Sequence, residues 1–224
     1  MKAWFLICLA LGLTGCATTK TDVRNEAEAA KYDPATTARV RFITGEGSHG
    51  GFISGQSCET FFNETTKTMP REQTGWKDAH IDTSGLYPWR DSDKRNLVIG
   101  IPATQASQAI NESRLQYDEY VVPANKPLIA AFATGGGAYS CWPKPILFTP
   151  EPGHDYELQL EMLKISTFKS GCVIRARKLS NVGTTTLERP VLPDLCVKGV
   201  DGTFRTVGLQ EQLEKIRQNA KSAN

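Results

Sequence analysis

The sequence predicts a mainly β protein: an antiparallel β-sandwich with a C-terminal helix and a flexible N-terminal tether. From residue 38 onward, short apolar runs of β type alternate with turns that contain Gly and Pro. Only residues 207–221 carry a convincing amphipathic helical pattern, in which Leu209, Leu213 and Ile216 recur at helical spacing. Several short strands joined by turns, followed by a single helix, are typical of a sandwich.

Residues 1–15 have the layout of a signal peptide. Lys2 provides one positive charge, and residues 3–15 contain no charged side chain. A membrane-spanning helix needs about 20 apolar residues. Because the apolar run ends at Cys16, it is too short to be a permanent span.

The run ends in Leu13-Thr14-Gly15-Cys16, and this tetrapeptide resembles the lipobox of bacterial lipoproteins. The resemblance implies cleavage before Cys16 and acylation of its sulfur and amino group, including palmitate. Several acyl chains suffice for stable membrane anchoring without a transmembrane helix. Since Ala17 rather than Asp follows the cysteine, the resemblance also implies an outer-membrane location facing the periplasm. No cofactor is expected besides this covalent lipid.

The chain divides into four regions. After the signal peptide, residues 16–36 are expected to form the lipidated tether, whose hydrophilic part, residues 17–36, could extend to about 66 Å. Residues 37–206 form the sandwich, and residues 207–224 the helix and tail. With 209 residues left after cleavage, the chain can bury a core.

The strand pattern is clearest in two places. Residues 38–43 alternate so that Val40 and Phe42 share one face, with Arg39 and Arg41 on the other. Residues 156–162 place an apolar side chain at every second position. Further strands are predicted at 97–101, 120–123, 128–132, 146–148 and 172–176, and the turn at 124–127 predicts a hairpin between the second and third of these.

Three further segments carry a second, looser resemblance. Tyr120-Val121-Val122-Pro123-Ala124, residues 148–153 and Tyr156 look like parts of small sandwich lipoproteins of uncharacterised function in Gram-negative bacteria. This resemblance implies the same fold. It brings no catalytic residues with it.

After removal of the signal peptide, which contains Cys8, four cysteines remain besides Cys16, and they predict two disulfides because the periplasm is oxidising. Three connectivities are possible. We favour Cys58 with Cys141 and Cys172 with Cys196, since the second pair closes a loop of about 24 residues, worth about 3 kcal/mol. A zinc site is not expected, because the chain has no Cys-x-x-Cys pair and no His within four positions of these cysteines.

The charge balance points to no partner class. Removal of Lys2 with the signal peptide leaves 25 basic and 24 acidic residues, a net charge of +1. Nucleic acid is therefore not an expected partner. The basic residues Arg175, Arg177 and Lys178 are expected on a solvated strand face.

Residues 59–96 form a polar stretch with several aromatic residues. Trp76, Tyr87 and Trp89 could form a binding surface for a partner, because such rings are favoured where one side is buried and the other meets a ligand. The alternative is that the rings cap one end of the sandwich, which we favour.

No catalytic motif is evident. Residues 46–50 (EGSHG) have Glu46 where a serine elbow has its first glycine. His80 and His154 are expected at the surface. Asp91-Ser92-Asp93 lacks the glycine and glutamate of a calcium loop, and Gly135-Gly136-Gly137 lacks the lysine of a phosphate loop.

The sequence therefore predicts a lipid-anchored envelope protein with a binding or structural role and an envelope protein as its partner. The alternative function is a periplasmic hydrolase that acts on envelope glycan or ester.

Overall fold

The computed structural model describes residues 21–45, 48–65, 75–80, 95–110, 115–135, 140–164 and 170–222. The predicted signal peptide, the lipobox-like segment with Cys16, and Asp91-Ser92-Asp93 lie outside these ranges.

Strands dominate the described residues. They are β1 (Thr21–Arg24), β2 (Thr37–Gly45), β3 (Ser48–Ser54), β4 (Lys77–Asp78), β5 (Arg95–Val98), β6 (Leu115–Pro123), β7 (Leu128–Thr134), β8 (Ile146–Phe148), β9 (Asp155–Lys164), β10 (Ser170–Val182), β11 (Thr185–Val191), β12 (Asp194–Lys198) and β13 (Phe204–Val207). The helices are α1 (Glu26–Ala29), α2 (Cys58–Thr65), α3 (Gln105–Ala109) and α4 (Leu209–Ser222).

These strands form two sheets packed face to face. The large sheet has the order β1-β5-β6-β2-β9-β10-β11, and the small sheet has the order β13-β12-β8-β7-β3-β4. The mainly β sandwich is confirmed, with mostly antiparallel pairing. Three pairs in the large sheet are parallel: β1 with β5, β5 with β6, and β2 with β9.

The core fills the space between the sheets. Phe42 of the large sheet stacks on Phe52 of the small sheet with ring centroids 4.4 Å apart, and Tyr120 meets both rings edge-on. Val40 and Phe42 are fully buried, as their alternation predicts. Each such aromatic ring buries a large apolar area, so this cluster supplies much of the driving force for folding.

The predicted hairpin at residues 120–132 is wrong. β6 lies in the large sheet and β7 in the small sheet, so the turn carries the chain from one sheet to the other. Asn125 has a left-handed φ of 57° and its N–H bonds to the carbonyl of Pro150. This arch lets both Val122 and Leu128 face the same core.

The predicted tether is also wrong for residues 21–36, which fold onto the domain. β1 pairs with β5, and Tyr32 packs against the apolar cluster that contains Ile99 and Leu179. Glu28 is the polar anchor of this segment. Its side chain is 8% exposed, accepts the N–H of Val121 and pairs with Lys31. The hydrophilic composition of residues 21–36 did not indicate this packing, because polar side chains such as Glu28 attach the segment through hydrogen bonds and ion pairs.

The C-terminal helix is confirmed as α4. The short helix α1 lies within residues 25–30, the one helix-favouring piece of the predicted tether, whereas α2 and α3 are short helices that the sequence did not indicate. Leu209 is partly buried, whereas the side chain of Leu213 is 47% exposed. Within the described ranges, no helix is long and apolar enough to cross a membrane.

Candidate functional site

An apolar groove lies where the chain leaves β11 for the small sheet. Its volume is about 590 Å³. One wall is β10 from Cys172 to Arg177, and the other is built from Ile146, Leu195 and Leu209 of β8, β12 and α4. Concave, mainly apolar cavities of this size are typical of ligand-binding sites.

The groove runs along an unpaired stretch of strand edge. β10 has 13 residues, but β11 has only 7 and covers β10 from Ala176 to Val182. The preceding residues, Ser170 to Arg175, pair with β9 on one side. On their other side, no strand lies among the residues that the structure describes.

The β10–β11 turn determines which backbone groups face this open side. Val182 pairs with Thr185 across a two-residue turn in which Gly183 has φ 63°. A tight turn of this kind is closed by hydrogen bonds between its two flanking residues, here Val182 and Thr185. From there, every second residue of β10 bonds to β11, and the residues between them direct their backbone to the other side. Even-numbered residues of β10 therefore direct their backbone toward β11. Consequently Cys172 and Ile174 present their N–H and C=O groups to the groove.

A proline explains why β11 does not continue along β10. The register Ala176↔Val191 places Pro193 at the position that would oppose Ile174. Proline has no N–H to donate to the Ile174 carbonyl. Instead the chain turns to the small sheet, where Asp194 opposes Leu147. Sequence reasoning missed the groove, although this proline and the Gly183 turn were the features that could have indicated it.

The rim of the groove combines exposed apolar side chains with a positive charge. Leu192 lines the groove and is 72% exposed, and Trp142, just before the lining residue Pro143, is also 72% exposed. Lys144 is exposed beside them. Large exposed apolar side chains next to a groove are typical of a surface that meets a partner.

Both disulfides form, but the favoured pairing is wrong. The bonds are Cys58–Cys196 and Cys141–Cys172. Cys196 lies in β12 of the small sheet, against which α2 brings Cys58, whereas Cys172 lies in the large sheet. Cys141 forms an isolated β-bridge with Thr134 of β7. The Cys141–Cys172 disulfide therefore joins the part of β10 that β11 does not cover to the small sheet.

Of the predicted aromatic surface, only Trp76 is described; Tyr87 and Trp89 lie outside the described residues. Trp76 stacks on Phe61 and donates its indole N–H to Asp78. Phe61 belongs to a buried cluster with Cys58 and Ile129. Trp76 therefore packs against the outer face of the small sheet, where Ile129 alternates with the core residues Leu128 and Ala130. The cap of aromatic rings at one end of the sandwich stays a prediction.

The histidines lie away from the groove. His49 is exposed on β3, and the ring of His154 is 3.6 Å from the carboxylate of Glu151. The prediction of a surface location is wrong for His80, whose side chain is only 9% exposed and lies 3.0 Å from Asp118. The segment after β4 packs against β6, where the phenol of Tyr120 donates to the Asp78 carbonyl.

Burial, with the negative charge of Asp118 second, raises the pKa of the Tyr120 phenol. Tyr120 therefore stays a neutral hydrogen-bond donor at ordinary pH. It fixes the end of β4 to the large sheet without adding a charge.

The outer face of the large sheet carries a buried charge cluster that the sequence did not indicate. Arg41 is 2% exposed and uses all five of its N–H groups: two bond to Glu119, one to Glu157, and two to the carbonyls of Ile101 and Pro102. The other Glu119 oxygen accepts the backbone N–H groups of residues 99, 100 and 101.

The same cluster corrects the expectation of a solvated face around Arg177. Arg177 is half-buried and bonds to Glu157 and Glu188, while Arg175 pairs with Glu161 at the surface. Thr104 also donates to Glu157. Because each buried charge has a partner, this cluster fits a structural role that fastens residues 99–104 to the sheet.

No protein-family model, curated protein or solved structure matches this chain. Within the described ranges, no three His, Cys, Asp or Glu side chains are grouped to hold a metal ion.

Proposed function

We propose that the chain is a lipid-anchored protein of the outer membrane, facing the periplasm, that holds an envelope protein in the groove beside β10. The observation that carries this proposal is the apolar cavity of about 590 Å³ with an unpaired strand edge along one wall. The lipobox-like Leu13-Thr14-Gly15-Cys16 supports the anchor. Two disulfides support an oxidising compartment.

The fold gives this proposal an orientation. Thr21, at the start of β1, is five positions after Cys16, a reach of at most about 18 Å. β1 is therefore the edge of the large sheet nearest the bilayer. β10 and β11 lie at the opposite edge, and six inter-strand spacings of about 4.8 Å place β11 roughly 29 Å from β1. The groove would face partners in the periplasm.

The anchor is tested with Cys16→Ala. This variant should lose palmitate labelling and should stay as unprocessed precursor or as a non-acylated protein. Normal labelling of the variant would refute the lipoprotein assignment.

The groove is tested in intact cells with a photo-crosslinking amino acid at Leu192. Val182 is the matched control, because it is also an exposed apolar residue, 63% exposed, but lies at the far end of β10. We expect a discrete protein adduct from position 192 and none from position 182, with the yield reduced when Cys16→Ala prevents anchoring. Equal labelling at both positions, or none at either, would contradict a binding role for the groove.

A further inference from the structure

We propose that the groove binds an extended polypeptide segment of the partner, which pairs as a strand with β10 along Cys172 to Arg175. This inference rests on the proposed binding function and names the class of ligand. The segment would occupy the position that β11 leaves vacant when the chain turns away at Pro193.

Backbone chemistry distinguishes a peptide from a purely apolar ligand. Cys172 and Ile174 each present an N–H and a C=O to the groove. A hydrocarbon chain in the same place would bury these groups without partners, which is unfavourable. A peptide in an extended conformation satisfies them, as in other cases where a strand is added to an open sheet edge.

The outer edge of β11 does not offer the same opportunity. Pro190 opposes Arg177, an odd-numbered residue, so its nitrogen is directed away from β10 toward the free edge. A proline at this place leaves an added strand without one donor, and prolines on edge strands hinder such pairing. Strand addition is therefore directed to the short stretch beside Cys172 and Ile174.

The groove also specifies which side chains fit. Successive side chains of a strand point to opposite faces. Those on the inner face of the bound segment would meet Ile146, Leu195 and Leu209, which favours apolar residues. The groove is also lined by the positively charged side chains of Lys144 and Arg175, which favours acidic residues on the outer face of the segment. The expected partner segment therefore alternates apolar and acidic residues over about five positions.

The probe is a synthetic heptapeptide, acetylated and amidated, with the sequence Thr-Val-Glu-Val-Glu-Val-Thr. It is added to the mature, ¹⁵N-labelled chain, and amide exchange is followed residue by residue. We expect the amides of Cys172 and Ile174 to gain protection of about tenfold or more. The amides of Val173 and Arg175 are the internal control, because they face β9 and should already be protected. Unchanged exchange at Cys172 and Ile174 with saturating peptide would overturn the proposal.

Two methylated peptides test the pairing itself. In the proposed arrangement the valines face the core, so their N–H groups point at β10 while those of the glutamates point away. N-methylation of the valine nitrogens should abolish binding, and N-methylation of the glutamate nitrogens should leave it. Equal effects of the two modifications would contradict strand pairing.

The charge preference is tested with Lys144→Glu, and Lys126→Glu in the β6–β7 arch is the control with the same change of charge. We expect the affinity for the heptapeptide to fall about fivefold in the first variant and to stay unchanged in the second. Equal affinities in the two variants would refute the acidic preference.

Laurate is the second probe. If laurate perturbs Ile174 and Leu195 while the heptapeptide does not, the groove is a binding site for acyl chains. The strand proposal would then be wrong, whereas the photo-crosslinking at position 192 reports separately on whether the groove holds a protein.

Discussion

Removal of Glu119 should severely destabilise the protein. Glu119→Ala leaves the guanidinium of Arg41, which is 2% exposed, without its main partner and leaves three backbone N–H groups without an acceptor. Removing one partner of a buried ion pair costs about 3–5 kcal/mol. With a urea m-value of about 2 kcal/mol/M, the unfolding midpoint should fall by about 2 M.

The control is Glu151→Ala, because Glu151 is 61% exposed and pairs with Lys178 at the surface. That change should cost less than about 1 kcal/mol. Glu119→Gln provides a local measurement: amide exchange at residues 99–101 should accelerate even though the domain stays folded. A loss below about 1 kcal/mol for Glu119→Ala, or unchanged exchange in Glu119→Gln, would show that the cluster does not hold residues 99–104 on the sheet.

Acidification should release the N-terminal segment. Burial opposes ionisation of Glu28, but bonds from Lys31 and the Val121 N–H prevail and hold its pKa below the usual value of 4.5. The ionised Glu28 carboxylate therefore stabilises the folded protein fully above about pH 4.5. This stabilisation is lost as the pH falls through the lower pKa that Glu28 has in the folded state. As Glu28 becomes protonated, the protection factor of the Val121 amide should decrease. Loss of the Cys58–Cys196 and Cys141–Cys172 bonds, with sequence separations of 138 and 31, should cost about 5 and 4 kcal/mol.

Each of these expectations has its own control. In Glu28→Gln, the protection of the Val121 amide should no longer change with pH between 5 and 3, and an unchanged acid-induced loss would assign the effect to other carboxyl groups. For the disulfides, both cysteines of a pair are changed to serine, and stability is measured by urea unfolding. Free thiols at Cys58 and Cys196 in the oxidised protein, or a larger loss from the shorter loop, would contradict the assignment.

The sequence was informative where apolar and polar residues alternate regularly along a strand. Val40, Phe42 and Leu158 were correctly placed in the core, because a period of two in side-chain polarity follows from strand geometry. The pattern does not determine which sheet a strand joins. β6 and β7 have the alternation and the turn of a hairpin, yet each satisfies its hydrogen bonds in a different sheet.

Polar strand positions were harder to interpret, because polarity alone does not distinguish solvent from a charged partner. Arg41, Glu119 and Glu157 occupy the outer face of the large sheet, as alternation requires, but residues 99–104 cover them. Their pairing joins residues up to 116 positions apart in the sequence. The local pattern of polar and apolar residues carries no information about which distant segment will cover a strand face.

The groove illustrates an intermediate case, in which the sequence holds the information but only after the register is known. If Gly183-Thr184 is recognised as a two-residue turn, Val182 must oppose Thr185, and counting outward places Pro193 opposite Ile174. That proline forbids the next ladder bond, so β10 must lose its neighbour there while its pairing with β9 continues to Ser170. A strand that is paired for ten residues on one side and seven on the other must expose part of an edge. The disulfide Cys141–Cys172 then holds this exposed part against the small sheet, so the vacant position remains a groove instead of a frayed strand end.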